Sequence, residues 1–437
     1  MNKSVGQIST QKAFALKLER TGESPFVPAP SAVRAGDYVY TSSIYPIDEK
    51  GHAVTVDPLI GLAGPSTIEV QARRCFESLK KVLQESRSSL EKVIKVEVHL
   101  VDGSDFFEFN RIWKEYFPVN PPARTAVEIG DTLPFPGALL NIDVIFLHGD
   151  SKLERQALQD PESDGAAAVE GASHAVRAGN FVFCSAFPAT NFETGMAVAR
   201  RPGFPNYGSE AEMQAEYVFT RLNRVLAQVG TSLENAVESQ LYEPDLSHFH
   251  DVDGVWKKFI SVPPPRSSMG IKGLIYPGAI FVANFVVMIP DATHVKEESH
   301  AGIKWHPTLV RKVNFSPTVK AGPWRFIAGQ IPSPDFLSYV GVPDGLKNHR
   351  SEIEEQTRVT MEMLREQLEA NETDWNHCVH ARVYLVEPRR DYRGFIRVWR
   401  EYFPDATKAP VIAYVPSTGI MFPGPLIEID PTCVMRG

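Results

Sequence analysis

Three tryptophans stand in nearly the same sequence context and divide the chain evenly. The segments 112–117, 255–259 and 398–403 read IWKEYF, VWKKF and VWREYF, and their tryptophans, Trp113, Trp256 and Trp399, lie 143 residues apart. Self-similarity at a fixed period indicates copies of one folding unit. The 437 residues are therefore expected to form three related domains, in keeping with roughly 100–200 residues per domain.

Two further markers flank every tryptophan in the same order. Upstream, the pattern Ser-x-x-Glu-x-Gln begins at Ser66, Ser209 and Ser351; downstream, an aromatic-Pro-Gly triplet begins at Phe135, Tyr276 and Phe422. Ser-x-x-Glu before an apolar run is a capping box, so it predicts a helix that begins behind each serine. Apolar residues follow at i, i+3 and i+7, which predicts an amphipathic helix. The tryptophan belongs to a second, shorter helix and is expected to pack in the core.

Strands are predicted around these helices. Short segments at 37–41, 180–184 and 324–328 are rich in aromatic and β-branched residues. Each unit is interpreted as β-(β)-α-β-α-β, an α/β (α+β) layer with helices on one face of a sheet. We predict domains at 25–150, 173–291 and 309–437, separated by polar linkers at 151–172 and 292–308.

Composition excludes several classes of protein. The formal charge is −8 and no basic block occurs, which counts against nucleic acid as a partner. No apolar run reaches the roughly 18–20 residues of a membrane span, and the first twenty residues lack the apolar core of a secretory signal. Four cysteines without a CxxC pair fit a reducing cytosol: Cys75, Cys184, Cys378 and Cys433. We expect a cytoplasmic protein that has no membrane partner.

Metal and cofactor motifs are weak in this sequence. His248-x-His250 and His377-x-x-His380 have the spacing of metal pairs, but no third ligand accompanies either pair, so surface or core positions are favoured. A glycine-rich phosphate loop, CxxC and HExxH are all missing. We therefore expect no cofactor and no metal requirement.

Four short motifs resemble a known family. Residues 110–113 read NRIW, 122–125 read PART, 328–332 read AGQIP and 427–429 read IEI. Together with the order of elements, these resemble the RidA/YjgF superfamily of imine/enamine deaminases, over nearly the whole chain outside the linkers. The resemblance implies three RidA/YjgF-like (chorismate-mutase-like) domains. Family members are homotrimers with sheets inward, helices outward and a ligand site in each cleft, so we expect a monomer that imitates such a trimer with pseudo-threefold symmetry.

The resemblance also implies which positions carry function, and the three copies differ at them. The family's arginine position is Arg124, Arg266 and Val411 in the successive copies; its glutamate position is Asn141, Val282 and Glu428; its loop glycine is Ser43, Ala186 and Gly329. The family's site takes its arginine and its glutamate from one subunit, and no single copy here holds both. Fusion lets the three clefts diverge, and it removes the association entropy that a homotrimer must overcome.

Imine hydrolysis needs a held carboxylate, a positioned water and an acid or base. Arginine suits the first task because its planar fork grips a carboxylate through two hydrogen bonds. The leading anchor is Arg124, then Arg266, with no site at Val411, and Glu428 is the candidate acid or base. Three further residues are expected to bind the substrate, which is a small molecule and carries a carboxylate: Asn110, Ser43 and Gly329.

Three functions remain open. The first is a hydrolase or deaminase of a small imine, enamine or related C–N compound, and the second a non-catalytic metabolite-binding RidA-like protein. The third is a ring-opening amidohydrolase like cyanuric acid hydrolase and barbiturase, which carry a Ser–Lys pair in each repeat. Lys95 has no counterpart, since 234–243 and 377–387 contain no lysine, so this third function is disfavoured. Nucleophile roles for residues on the cleft loops lack a visible partner base and are also disfavoured: Ser42, Ser43, Cys184 and Ser185.

Overall fold

The computed structural model describes residues 15–24, 27–57, 59, 64–130, 132–162, 171–191, 195–196, 209–305, 309 and 313–437. Within these ranges the chain forms three domains with the same order of elements, which confirms the predicted repeat. Domain 1 contains β1 (Leu18–Thr21), β2 (Ala32–Ala35), β3 (Tyr38–Thr41), α1 (Thr67–Glu85), β4 (Val93–Leu100), α2 (Phe106–Tyr116), β5 (Ala123–Glu128) and β6 (Leu140–Leu147).

Domains 2 and 3 follow the same plan. Domain 2 contains β7 (Arg155–Leu158), β8 (Ala175–Ala178), β9 (Phe181–Cys184), β10 (Thr190–Asn191), β11 (Gly195–Met196), α3 (Glu210–Ala227), β12 (Ala236–Glu243), α4 (Phe249–Phe259), β13 (Arg266–Gly270), β14 (Gly273–Leu274) and β15 (Val282–Met288). Domain 3 contains β16 (Lys296–Ser299), β17 (Thr318–Ala321), β18 (Trp324–Ile327), α5 (Glu352–Ala370), β19 (Cys378–Leu385), α6 (Pro388–Tyr402), β20 (Val411–Pro416), β21 (Gly419–Ile420) and β22 (Ile427–Val434).

Each domain builds one mixed sheet, and neighbouring domains extend two of the sheets. The orders are β1-β2-β3-β6-β4-β5-β14, β21-β13-β12-β15-β9-β8-β7 and β16-β17-β18-β22-β19-β20. β14 of domain 2 pairs with β5 of domain 1, and β21 of domain 3 pairs with β13 of domain 2. The segments predicted as linkers contribute β7 and β16, which pair with β8 and β17 at the sheet edges.

The three sheets face one another around a pseudo-threefold axis. Tyr38, Phe181 and Trp324, one from each domain, form a triangle with ring centroids 5.8–6.2 Å apart. The helices pack on the outer faces of the sheets, where Trp113, Trp256 and Trp399 are fully buried. This arrangement confirms the expected fold of inward sheets and outward helices, and the core position of the tryptophans. No described helix is long and apolar enough to cross a membrane.

The predicted capping boxes form in two domains but not in the third. Ser66 and Ser209 cap α1 and α3, and the glutamate three residues on closes each box. Ser351 makes no side-chain cap on α5, so the prediction is wrong there. The backbone differs there: ψ of the cap residue is 118° at Ser351, against 161° at Ser66 and 159° at Ser209, so the chain enters α5 at a different angle.

This difference predicts unequal effects of removing the two cap serines. Ser209→Ala should lower the free energy of unfolding by about 1 kcal/mol, because an early amide of α3 loses its acceptor. Ser351→Ala, the matched control, should lower the free energy of unfolding much less, since the hydroxyl of Ser351 makes no cap on α5. Urea denaturation of both variants measures this. Equal losses would mean that the cap of α3 contributes nothing.

Candidate functional site

The parallel strand pairs show which residues share the arginine position. Arg124 lies opposite Val96, and Arg266 lies opposite Ser239. The position of β19 that corresponds to Val96 and Ser239 pairs with Ile412. The arginine position of domain 3 is therefore Ile412, and its assignment to Val411 is wrong by one residue. The marker triplet follows Arg124 by eleven residues but Arg266 by ten, so counting back from it fails. A one-residue slip in a strand moves a side chain to the other face, and it is Ile412 that replaces the cation.

Both arginines are held in the same way. Their guanidinium groups lie 4.8–5.0 Å from the centroids of two aromatic rings on the second helix of their own domain, a cation–π arrangement. Nη1 of Arg124 donates to Asn110 at 2.8 Å, while Nη1 of Arg266 donates to Asp253 at 2.9 Å. The ring pairs are Phe106 with Trp113 for Arg124, and Phe249 with Trp256 for Arg266.

The cleft between domains 1 and 2 contains Arg124. The amide of Arg124 donates to Ser185 Oγ at 2.7 Å, and the amide of Ala186 donates to the Arg124 carbonyl at 3.1 Å. β15 of domain 2 reaches the same seam, where Asn284 Nδ2 donates to Thr125 Oγ1 at 3.0 Å. Two residues along that face lies Val282, at the position where the third copy has its glutamate. The structure therefore brings Asn110 to Arg124, and among the residues it describes the position of the family's glutamate in this cleft is held by Val282.

The cleft between domains 2 and 3 joins the residues that the sequence had separated. Arg266 of domain 2 and Gly329 and Glu428 of domain 3 line one cavity. Ser267 Oγ donates to Asp430 Oδ2 at 2.7 Å, which holds β13 against β22. In this chain the arginine and the glutamate that line the cavity thus come from neighbouring domains, as they must when no single copy holds both.

This cavity is nearly closed. Its volume of about 10 Å³ holds about one water molecule. A larger ligand therefore requires movement of the apolar side chains that close it: Phe249, Phe315, Ile331, Phe336 and Met421.

Gly329 makes room for Glu428. A Cβ at residue 329 would lie 1.7 Å from Glu428 Oε1, so the serine or alanine of the sister domains does not fit. Glu428 is 3% exposed. Burial raises its pKa well above the usual range, the neighbouring Asp430 raises it further, and a hydrogen bond with Ser267 opposes both effects. Both effects favour the protonated form of Glu428.

Glu243, at the end of β12, is a residue that the sequence reasoning missed. It is fully buried, and within the described ranges neither of its carboxylate oxygens has a hydrogen-bond partner. Burial raises its pKa to about 8, against the opposing charge of Arg266. The sister positions are Leu100 and Leu385. An acid where the other two copies have leucine is the signal that could have found it.

We expect Glu243→Leu to stabilise the protein more at pH 8 than at pH 5. The folded state holds a proton that the unfolded chain releases above its ordinary pKa of 4.5, so stability falls as pH rises toward 8. Leucine removes that loss and should raise the free energy of unfolding by about 1–4 kcal/mol at pH 8. Denaturant unfolding at both pH values checks this. An equal gain at the two pH values would contradict a raised pKa for Glu243.

A second unpartnered polar atom lies beside Arg266. Trp113 Nε1 donates to the Gly171 carbonyl at 2.6 Å, and Trp399 Nε1 donates to the Pro28 carbonyl at 3.2 Å. Trp256 Nε1 is buried and has no hydrogen-bond partner among the described residues. In the described part of the chain, the surroundings of Arg266 thus contain a donor, on Trp256, and acceptors, on Glu243, that have no hydrogen-bond partner.

In the third cleft, between domains 3 and 1, the hydroxyl of Ser43 makes three hydrogen bonds and so has its full set of partners. Its hydroxyl donates to Asp143 Oδ1 at 2.5 Å and accepts from Asn141 Nδ2 at 3.2 Å and from the Tyr414 amide at 2.8 Å. With Ile412 in the arginine position, this cleft has no guanidinium for a ligand carboxylate at that position.

The cleft-loop residues suggested as nucleophiles hold the backbone instead. Ser42 Oγ donates to the Pro30 carbonyl at 2.8 Å, and Ser185 Oγ donates to the Ser173 carbonyl at 2.5 Å. Cys184 is buried, which raises the pKa of its thiol to about 12. These contacts fit the turn and core roles that the sequence favoured.

Lys95 and the histidine pairs also occupy structural positions. Lys95 Nζ lies 3.2 Å from Glu97 Oε1 on the axis, and its sister positions are Glu238 and His380, so a Ser–Lys pair in each repeat is not built. His377 bonds Asp374 at 2.7 Å, whereas His380 is buried at the axis. In the described part of the chain, neither predicted histidine pair belongs to a group of three metal-ligand side chains.

Comparisons with known proteins agree with this fold. The family model described as Endoribonuclease L-PSP matches three times, over residues 23–147, 164–281 and 308–435. A RutC family protein of Pyrococcus abyssi is 36% identical over 106 residues, which cover 24% of this chain and 76% of the relative. The 3-aminoacrylate deaminase RutC of Acinetobacter baylyi is 34% identical over 119 residues, 27% of this chain and 83% of the relative.

Solved structures of two proteins are also similar. Yeast Mmf1 is 28% identical with a TM-score of 0.26, covering 30% of this chain and 99% of its own. A chorismatase is 12% identical with a TM-score of 0.49, covering 79% of this chain and 93% of its own. With its family model matched three times across most of its length, the chain belongs to the Endoribonuclease L-PSP family, the RidA/YjgF superfamily, as three tandem copies.

Proposed function

We propose that the chain hydrolyses a small imine, enamine or related C–N compound in the cleft between domains 2 and 3. The observation that carries this proposal is that Arg266 and Glu428 line one cavity together with Gly329. A relative named 3-aminoacrylate deaminase supports the same class of reaction.

Arg266 is the anchor for the substrate's carboxylate. Among the described residues, its guanidinium makes one hydrogen bond, to Asp253, so further N–H groups remain for a ligand. Asp253 is also 2.9 Å from Lys257 Nζ. Two cations therefore share one carboxylate, and the net positive charge favours an anionic ligand.

Glu428 is the acid and base of the reaction. Its neutral carboxyl donates a proton to the imine nitrogen, which makes the carbon more electrophilic. The carboxylate then accepts a proton from the attacking water, giving a carbinolamine. Glu428 returns that proton to the nitrogen and takes the hydroxyl proton as ammonia leaves. One imine and one water thus give one carbonyl compound and one ammonia, and Glu428 ends protonated.

The other two clefts favour binding without turnover. The position that Glu428 holds is Val282 beside Arg124, and Asn141 in the cleft where Ile412 replaces the arginine. A non-catalytic metabolite-binding protein is therefore the second candidate function, and the Arg124 cleft is the place where it would operate.

The two functions are separated by measuring ammonia release from imino acids generated in the assay by an amino-acid oxidase. We expect the chain to accelerate hydrolysis above the spontaneous rate, equally with and without a chelator. We also expect a monomer by light scattering, since the chain already contains three domains. Binding of a carboxylate analogue without any acceleration would instead support the binding protein.

A further inference from the structure

We propose that Glu97, His99 and Asp143 of domain 1 form a binding site for a divalent transition-metal ion such as Zn²⁺. One ligand atom from each of these three buried side chains lies within 4.8 Å of the other two. Metal bonds of about 2.0–2.2 Å require only small inward shifts from such a spacing.

Strand geometry brings the three side chains together. Glu97 and His99 are alternate residues of β4 and point to the same face. Asp143 lies directly opposite Glu97 on β6, and Asn141 lies opposite His99. Asp143 accepts a hydrogen bond from Ser43, while Glu97 faces Asn284 of domain 2 and Arg382 of domain 3, so the group lies where the three domains meet.

Unpartnered buried atoms point to a missing ligand. His99 is fully buried, and in the described part of the chain neither of its ring nitrogens makes a hydrogen bond of normal geometry, although the Asn141 side chain lies close to the ring. Asp143 Oδ2 has no partner there either. Buried polar atoms are nearly always paired, so such a cluster needs an explanation. His99 Nδ1 and Asp143 Oδ2 are 3.6 Å apart, too far for a hydrogen bond but suitable for two ligands of one ion.

Carboxyl groups outnumber cations around the proposed metal site. Glu97 is only loosely held by its cations, since Lys95 Nζ and Arg382 Nε lie 3.2 and 3.4 Å from its oxygens, longer than the usual 2.7–2.9 Å. Lys95 and Arg382 thus lie among four carboxyl groups. The carboxylates are Glu97, Asp143, Glu238 and Asp430.

The same positions of domain 2 carry side chains that bind such ions poorly. Gln240 and Asn284 face each other there as Glu97 and Asp143 do in domain 1, and Tyr242 takes the place of His99. The ligand set is therefore particular to domain 1. The sister residues also provide variants whose shapes this fold already accommodates.

The donor set selects the type of ion. One imidazole with two carboxylates suits borderline transition metals better than Mg²⁺ or Ca²⁺, which prefer oxygen alone. Asp143 has the outer-shell support that metal-binding carboxylates usually have, because Ser43 Oγ donates to its other oxygen at 2.5 Å.

The test is metal binding by the full chain, measured without reference to any catalytic activity. Chelator-treated protein is titrated with Co²⁺, whose visible absorption reports its ligands, and then with competing Zn²⁺; bound zinc is counted after gel filtration. We expect about one equivalent and a higher melting temperature. Glu97→Gln, His99→Tyr and Asp143→Asn should each weaken binding more than about 100-fold, beyond the usual 10- to 100-fold cost of outer-shell changes.

Glu238→Gln is the matched control, because it removes a carboxylate of the same axis that is not a ligand. It should bind zinc as the wild type does. Equal weakening by Glu238→Gln would mean general electrostatic attraction and would overturn the site. Binding that the three ligand variants leave unchanged would assign the metal to surface histidines. If the wild type retains no zinc and shows no thermal shift, a proton on Asp143 balances the charge, and the proposal is wrong.

Discussion

Arg266→Ala should lower kcat/KM for imine hydrolysis by about 30- to 1000-fold. The substitution removes a charge-assisted contact with the substrate carboxylate, worth about 2–4 kcal/mol. Steady-state ammonia release by wild type and variant measures the effect. Arg266→Lys should recover only part of the loss, because an ammonium cannot form the planar two-bond contact.

Arg124→Ala is the matched control for this experiment. The guanidinium of Arg124 also packs against two aromatic rings, and it makes a similar hydrogen bond, to Asn110. In its cleft, however, Val282 occupies the position that Glu428 occupies in the other cleft. We expect turnover close to that of the wild type. The sequence favours Arg124 as the principal anchor, so the pair of variants separates the two clefts. An inactive Arg124→Ala beside an active Arg266→Ala would place the reaction between domains 1 and 2.

Glu428→Gln should lower kcat by about 10²- to 10⁴-fold, the usual contribution of a general acid or base. The amide keeps the volume of the side chain, so Gly329 still accommodates it, and KM should change little because Arg266 remains. In the wild type, turnover should fall at alkaline pH, where Glu428 loses the proton that its raised pKa retains near neutrality.

A pH profile of kcat for both proteins checks the assignment. Glu428→Gln should show no alkaline fall attributable to this group. Unchanged kcat in the variant would mean that water alone carries the protons, and an alkaline fall that survives in the variant would belong to another residue.

The fold could be predicted because the signals that specify it are local and occur three times. A capping box or an apolar helix face depends on neighbours in sequence, and repetition separates such a pattern from chance. The third box failed at Ser351, whose backbone ψ of 118° differs from the 161° and 159° of the other two cap serines. That difference in backbone conformation leaves no mark in the motif.

The candidate site could be predicted only residue by residue. Arg266 and Glu428 were each identified as candidate site residues. Whether they line the same cavity depends on which strand of one domain faces which strand of the next. Whether Val411 or Ile412 holds the arginine position depends on the loop before the aromatic-Pro-Gly triplet, whose length varies by one residue between copies. Successive side chains of a strand point to opposite faces, so an error of one residue selects the wrong face. Glu243 belongs to no motif, and only comparison with Leu100 and Leu385 distinguishes it.

The strands that pass between domains affect how ligands can enter. β14 completes the sheet of domain 1, and β21 completes the sheet of domain 2. Separating two domains would break these main-chain hydrogen bonds, so unfolding should be one cooperative transition rather than three. Breathing motions of whole domains are thereby restrained, and access to the Arg266 cleft must come from side chains at its rim, such as Phe336 and Met421. The speed of ligand entry is then set by rotamer changes rather than by domain movement.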